Sequence, residues 1–120
     1  MDHLTEEQIE ALRAELIRLR DGLDRGSTTA EAAARPVGLD EPIGRVSRID
    51  AIQQQQMARA AQQAMIVRRR QIEAALAALE RGEYGLCRRC EEPIAVARLQ
   101  AAPETPFCID CQSEIEQRNR

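Results

Sequence analysis

The chain has 120 residues, an aromatic fraction of 2% and a formal net charge of −3. A chain of this length forms one small domain, or a small domain with an extended element, and its Ala-rich apolar fraction excludes a large core. The acidic balance argues against general nucleic-acid binding, which needs a basic surface. The start MDHLTEEQIE lacks an export signal and no membrane-length apolar run occurs, so we expect a cytoplasmic protein without membrane contact.

Residues 5 to about 25 are predicted to form the first helix. Thr5 and Gln8 have the spacing of a capping box. Aliphatic residues then alternate steps of three and four, the narrow seam of a helix that pairs with one other helix. They are Ile9, Leu12, Leu16, Leu19 and Leu23. Gly26 is a plausible stop, and 27–45 is expected to be the connector; the sequence leaves open whether residues 28–35 extend the helix.

Residues 46 to about 81 contain neither Pro nor Gly and are mostly strong helix formers, so they predict a second, long helix. A helix of this length needs a partner for its apolar stripe, and the first helix is the only long candidate. The expected stripe comprises Ile49, Ile52, Met57, Met65, Ile72, Leu76 and Leu79. We therefore predict a mostly α chain in which residues 1–82 form an antiparallel helical hairpin, a coiled coil with its tip at 27–45.

All four cysteines lie in the remaining segment, 83–120, as two C-x-x-C pairs separated by 17 residues. Four thiolates satisfy the tetrahedral preference of Zn²⁺, and the separation is typical of a zinc ribbon or related finger. Because four protein ligands leave no open position, the metal is expected to be structural. A pair of redox dithiols would need a thioredoxin-like βαβ context, which the chain lacks, and an iron–sulfur cluster is the other chemical alternative.

The segment around the cysteines is too poor in large apolar residues to fold without its metal. The residues expected to pack around the site are Tyr84, Leu86, Ile94, Leu99 and Phe107. A short C-terminal helix should follow, with Ile109 and Ile115 facing inward. His3, the only histidine, is expected to be exposed and without a partner. No catalytic constellation is recognisable, so we do not expect an enzyme.

A helical hairpin followed by YGLC, CRRC, PIAVARL, a Pro-containing turn and CIDC resembles the DksA/TraR family of bacterial regulators, best over residues 82–112. The resemblance implies a zinc-binding transcription regulator that contacts RNA polymerase directly, with its coiled coil in the secondary channel, and does not bind specific DNA sequences. It also implies that one structural Zn²⁺ is held by Cys87, Cys90, Cys108 and Cys111.

The tip departs from the family pattern because no Asp-x-x-Asp-x-Ala motif is present. Asp50, in GRVSRIDAIQQQ, is the candidate acidic residue in its place. The candidate partner-binding residues of the tip are Asp40, Glu41, Arg45, Arg48 and Asp50. Because Ala102 and Gln112 stand where alarmone-responsive members carry basic residues, the comparison argues against ppGpp as a ligand.

Glu91 is the third departure, since the family usually has Gly after the second cysteine. A residue that follows a C-x-x-C turn often needs a positive φ, so a glutamate there is expected to cost about 1 kcal/mol of strain or to shift the turn.

Two other functions share the cysteine pattern. A GATA-like DNA-binding finger has the same C-x2-C-x17-C-x2-C spacing, but it needs a basic helix and tail to hold phosphates. The residues after Cys111, QSEIEQRNR, contain two Glu and two Arg. A zinc-stapled adaptor for another protein is the remaining alternative. In each case we expect a monomer.

Overall fold

The computed structural model describes residues 2–33 and 45–119, with the side chains of 2–25 and 48–119. Its four helices are, in chain order, α1 (Glu6–Ala33), α2 (Arg45–Arg81), α3 (Val96–Ala101) and α4 (Ile109–Arg118). Among the described residues, β-structure is limited to an isolated bridge between Leu86 and Pro93. The predicted fold class is confirmed: a helical hairpin, a small four-cysteine finger and a short C-terminal helix.

The chain forms two compact units. The first comprises Met1–Arg20 and Arg69–Arg120, and the second comprises Asp21–Arg68. The first unit thus contains the beginning of α1, the end of α2 and the whole finger. The boundary expected between residues 82 and 83 falls inside it. None of the helices in the described ranges has both the length and the apolarity needed to cross a membrane.

The start of α1 has the predicted capping box. The Thr5 N–H donates to Gln8 Oε1 at 2.9 Å, and the Gln8 N–H donates to Thr5 Oγ1 at 3.1 Å. These bonds satisfy two of the N–H groups that a helix start leaves unpaired. The predicted seam also faces inward: Leu12 and Leu16 are buried, and the other three of its five residues are half-buried.

The sequence left open whether residues 28–35 extend the first helix, and α1 does continue past residue 25, to Ala33. Gly26 lies inside the helix, where glycine costs about 1 kcal/mol relative to alanine. The alanines that follow at positions 30, 32 and 33 have the highest helix propensity, so the helix can continue past it. The connector expected at 27–45 is therefore helical at 27–33 and at Arg45; residues 34–44 lie outside the described ones.

The inward face of α2 differs from the predicted stripe in its first half. Ile49, Ile52 and Met57 are 52%, 41% and 72% exposed, so their assignment to the seam is wrong. The half-buried positions there are Ala51, Gln55, Ala58 and Gln62. The remaining stripe residues, from Met65 onward, are half-buried or buried as predicted.

The cause of this difference is the helix phase. Ile72, Leu76 and Leu79 are the strongest aliphatic anchors of α2, and they fix which face packs inward. Steps of three and four residues from Ile72 back along the helix reach the alanines and glutamines and bypass Ile49 and Ile52. Apart from Met65, the seam of the second unit is therefore built from small and polar residues on the α2 side.

Gln62→Leu is expected to raise the free energy of unfolding by about 1 kcal/mol, because leucine buries apolar area at a seam position where glutamine brings a polar amide. Urea unfolding followed by far-UV circular dichroism measures the change. The control is Gln63→Leu, one position along on the exposed face, which should change stability by no more than about 0.5 kcal/mol. Equal effects of the two substitutions would contradict the assigned phase.

Candidate metal centre

The four cysteines converge on one point. Their Sγ atoms all lie within 4.8 Å of one another, and the Sγ atoms of Cys90 and Cys108 are 3.8 Å apart. Zinc–sulfur bonds of about 2.3 Å in a tetrahedron imply sulfur–sulfur distances of about 3.8 Å. The Cys90–Cys108 distance therefore equals that of a tetrahedral zinc site, and the whole set lies within about 1 Å of it.

Backbone hydrogen bonds shape the first C-x-x-C turn. The Cys87 N–H donates to the Glu92 carbonyl at 2.8 Å, and the Glu91 N–H donates to the Cys87 carbonyl at 2.9 Å. Just outside this pair, the Ile94 N–H donates to the Gly85 carbonyl at 2.7 Å. The turn is thus closed at its base, so both sulfurs of the pair point to the same side.

The second pair is positioned by the start of α4. Cys108 is the N-cap residue, and its carbonyl accepts the Gln112 N–H at 2.9 Å. Cys111 lies three residues along, nearly one helical turn, and so on the same face as Cys108. The Arg88 N–H donates to the Pro106 carbonyl at 2.9 Å, which joins the first turn to the segment that leads into the second.

The thiols affect one another's ionisation. Burial raises the pKa of Cys87, but three backbone N–H groups directed at its sulfur outweigh that effect and bring the pKa to about 6. Burial, together with the three neighbouring thiols, raises the pKa of Cys111 to about 12. One thiolate therefore forms readily while further negative charge is opposed, and a bound dication would remove that opposition.

A small apolar core packs around the cysteines, and its central residues are buried. Tyr84, Ile94 and Leu99 are buried, as predicted, and Phe107 is half-buried. The Tyr84 hydroxyl donates to the Pro103 carbonyl at 2.9 Å, and burial, followed by the charge of Glu104, raises the pKa of the phenol well above its usual value. Tyr84 is thus a core residue with its polar end satisfied.

Two apolar residues near the site do not pack as expected. Leu86 is 36% exposed, and Ile109 is 65% exposed. Ile109 is the first residue of α4, one position from Cys108, and consecutive helical residues lie about 100° apart. Because Cys108 and Cys111 face the sulfur cluster, Ile109 points away from it. Of the two isoleucines that were expected to face inward, Ile115 is the half-buried one.

His3 is not the unpartnered, exposed residue that the sequence suggested. It is half-buried, and its Nε2–H donates to the Ile94 carbonyl at 2.9 Å. The next residue, Leu4, is buried at 8% exposure. Gly85 has a φ of 87°, and a Cβ there would meet His3 Cε1 at 3.0 Å, so glycine permits this close approach. The start of the chain is therefore part of the finger's packing.

Glu91 has the positive φ that its position predicts. Its φ is 63°, and it is the only non-glycine residue with a positive φ among those described. A side chain in this left-handed region clashes with the following carbonyl, at a cost of about 1–2 kcal/mol. The turn after the second cysteine therefore keeps the positive φ that glycine would adopt there, and the backbone of Glu91 is strained.

Glu91→Gly is expected to stabilise the zinc-loaded protein by about 1 kcal/mol, because glycine adopts this φ without a steric cost. Thermal unfolding in the presence of zinc measures the effect. The control is Glu92→Gly at the next position, where φ is not positive; the greater backbone entropy of glycine should destabilise it by about 0.5–1 kcal/mol. A loss of stability in both variants would show that Glu91 is not strained.

The tip candidates are only partly described. Asp40 and Glu41 lie outside the described residues, and Arg45 is the first residue of α2 with its side chain not described. Arg48 and Asp50 are exposed on the first turns of α2. Of the sequence-predicted site residues, the structure therefore brings the four cysteines together, and Arg48 and Asp50 are the members of the tip set whose side chains are described.

Comparison with known proteins identifies the type of finger. Residues 82–117 match the family model of the prokaryotic dksA/traR C4-type zinc finger. The chain is 39% identical over 51 residues to the RNA polymerase-binding transcription factor DksA of Haemophilus influenzae, and 28% identical over 103 residues to that of Escherichia coli. These segments cover 42% and 86% of this chain, but only 35% and 65% of the two relatives. The chain thus spans less than two thirds of either relative.

The fold is similar to that of a solved relative. The structure of the transcription factor DksA2 from Pseudomonas aeruginosa superposes with a TM-score of 0.74 at 27% sequence identity, covering 98% of this chain and 90% of that one. The finger match and the clustered cysteines together support one structural zinc ion.

Proposed function

We propose that the protein is a transcription regulator that binds RNA polymerase directly, because residues 82–117 match the model of the dksA/traR C4-type zinc finger. The observation that carries the proposal is the combination of this finger with a preceding helical hairpin, the arrangement shared with DksA2. The E. coli and H. influenzae relatives are RNA polymerase-binding transcription factors.

We assign Cys87, Cys90, Cys108 and Cys111 as the ligands of one structural Zn²⁺. The sulfur separations support this assignment, because they fit a tetrahedron with four protein ligands. Such a shell leaves no position for a reacting water, so the metal acts by holding the finger together and the protein acts by binding.

The hairpin is the element that enters the secondary channel of the polymerase in this proposal. Its tip carries the candidate contact residues Asp40, Glu41, Arg45, Arg48 and Asp50. The exposure of Arg48 and Asp50 supports their role as contacts, since both side chains are available to a partner. Asp50 is the acidic residue expected to act near the catalytic centre of the polymerase.

The charge of the finger disfavours DNA as the partner. Residues 82–120 carry five arginines against seven aspartates and glutamates. A zinc tetrathiolate adds a formal charge of about −2. A finger that held DNA phosphates would need the opposite balance.

The positions that are basic in alarmone-responsive members of the family carry no positive charge here. Gln112 donates to Glu116 Oε1 at 3.1 Å, and Ala102 is uncharged, so ppGpp is not part of the proposal.

Binding to core RNA polymerase in the absence of promoter DNA is the test. The zinc-loaded chain is expected to co-migrate with the polymerase in a native gel and to change the lifetime of open complexes. Asp50→Asn should reduce the effect on transcription at least several-fold while changing the affinity for polymerase by less than about twofold, because it removes one exposed charge at the tip and leaves the finger intact.

Glu80→Gln is the matched control, since it removes an exposed carboxylate at the other end of α2. It should leave both binding and transcription unchanged. Binding to DNA alone with a steep salt dependence would instead favour the GATA-like alternative, and absence of polymerase binding would favour an adaptor for another protein. Equal losses of binding and activity in Asp50→Asn would refute the assignment of Asp50.

A further inference from the structure

Arg89 lies between the two cysteines of the first C-x-x-C pair and forms an ion pair across the finger. Its Nη1 donates to Glu114 Oε2 at 2.5 Å, and Glu114 lies on α4, which begins at the second pair. The two residues are 25 positions apart. By contrast, ion pairs such as Arg13–Glu10 join residues within one helical turn and do not link separate segments of the chain. The Arg89–Glu114 pair joins the two halves of the metal site.

Arg89 also directly precedes Cys90, one of the four clustered cysteines. A zinc ion bound by four thiolates has a formal charge of about −2, so a cation held beside the loaded site stabilises it. Arg89 thus belongs to the first cysteine turn and is bonded to the acid on α4.

We propose that Arg89 is a positioning residue for the zinc site: fixed by Glu114, it clamps the two C-x-x-C pairs together and slows the release of zinc. The inference rests on the assignment of the four cysteines as zinc ligands in the proposed function. Sequence motifs did not point to it, because the paired acid is far along the chain and the arginine lies between the ligands.

The size of the effect follows from the exposure of the pair. An exposed ion pair contributes little by itself, and the side chains of Arg89 and Glu114 are 31% and 61% exposed. Residues that support metal ligands typically change metal affinity by about 10- to 100-fold when removed. The Arg89–Glu114 pair is partly exposed, so its effect should lie at or below the low end of this range. We therefore expect the rate of zinc release to rise about 3- to 10-fold when the pair is lost.

The experiment measures zinc release from the zinc-loaded full-length protein into excess 4-(2-pyridylazo)resorcinol, which reports the freed ion by its absorbance. Arg89→Gln should release zinc faster by the stated factor. Arg88→Gln removes the same charge from the neighbouring position of the same turn and should release zinc at the wild-type rate. Arg89→Lys keeps the charge and should restore part of the difference. Far-UV circular dichroism of each loaded variant shows that its fold is retained.

Glu114→Gln separates a clamp from a simple charge effect. Removing a negative charge near a dianionic site would slow zinc release if charge alone mattered, whereas loss of the clamp accelerates it. We expect acceleration, and no further acceleration when Arg89→Gln and Glu114→Gln are combined, because both remove the same interaction. Salt of about 1 M should shrink the difference between wild type and Arg89→Gln, since it screens exposed charges.

Two results would overturn the inference: equal release rates for Arg89→Gln and Arg88→Gln, or slower release in Glu114→Gln. The zinc content of the wild-type protein is measured first. A wild-type protein without zinc would overturn the metal assignment and this inference together, while equal rates in zinc-loaded variants would overturn only the role of Arg89.

Discussion

Coordination of a metal by four sulfurs is the interaction on which the finger depends. With four thiols within 4.8 Å of one another, burial and the three neighbouring thiols raise the pKa of Cys111 to about 12, which opposes the ionisation of all four sulfurs together. A dication reverses this, because it lets all four thiolates form and binds them together. The alternative source of stability is weak: the buried apolar residues between Tyr84 and Leu99 are few, and a segment of this size rarely folds on such a core.

The finger is supported from outside its own sequence as well. His3 donates to the Ile94 carbonyl, and Leu4 is buried in the same unit as the beginning of α1 and the end of α2. Within the finger itself, Arg89 and Glu114 connect the two cysteine pairs at the surface. Such contacts fix α4 and the first C-x-x-C turn relative to each other. The metal site therefore connects segments that are distant in sequence. This is what a binding module needs if it is to present a surface of fixed shape to a macromolecular partner.

The sequence predicted those features that depend on local spacing. The C-x-x-C pairs, the leucine seam of α1, the capping box of Thr5 and the positive φ of Glu91 each follow from residues a few positions apart. Features set by distant contacts escaped prediction. The phase of α2 near Ile49 is decided by anchors more than twenty residues away, and alanine and glutamine give little signal of their own. The partner of His3 lies 91 positions along the chain, and no local pattern indicates it.

Zinc removal followed by residue-resolved NMR tests the central claim most directly. The purified protein should contain one zinc per chain, and an excess of chelator should collapse the dispersed amide resonances of residues 82–117 while those of α1 and α2 in Asp21–Arg68 remain helical; re-addition of zinc should restore them. Dispersed finger resonances that persist in metal-free protein, or a metal-replete preparation with no zinc, would contradict the account.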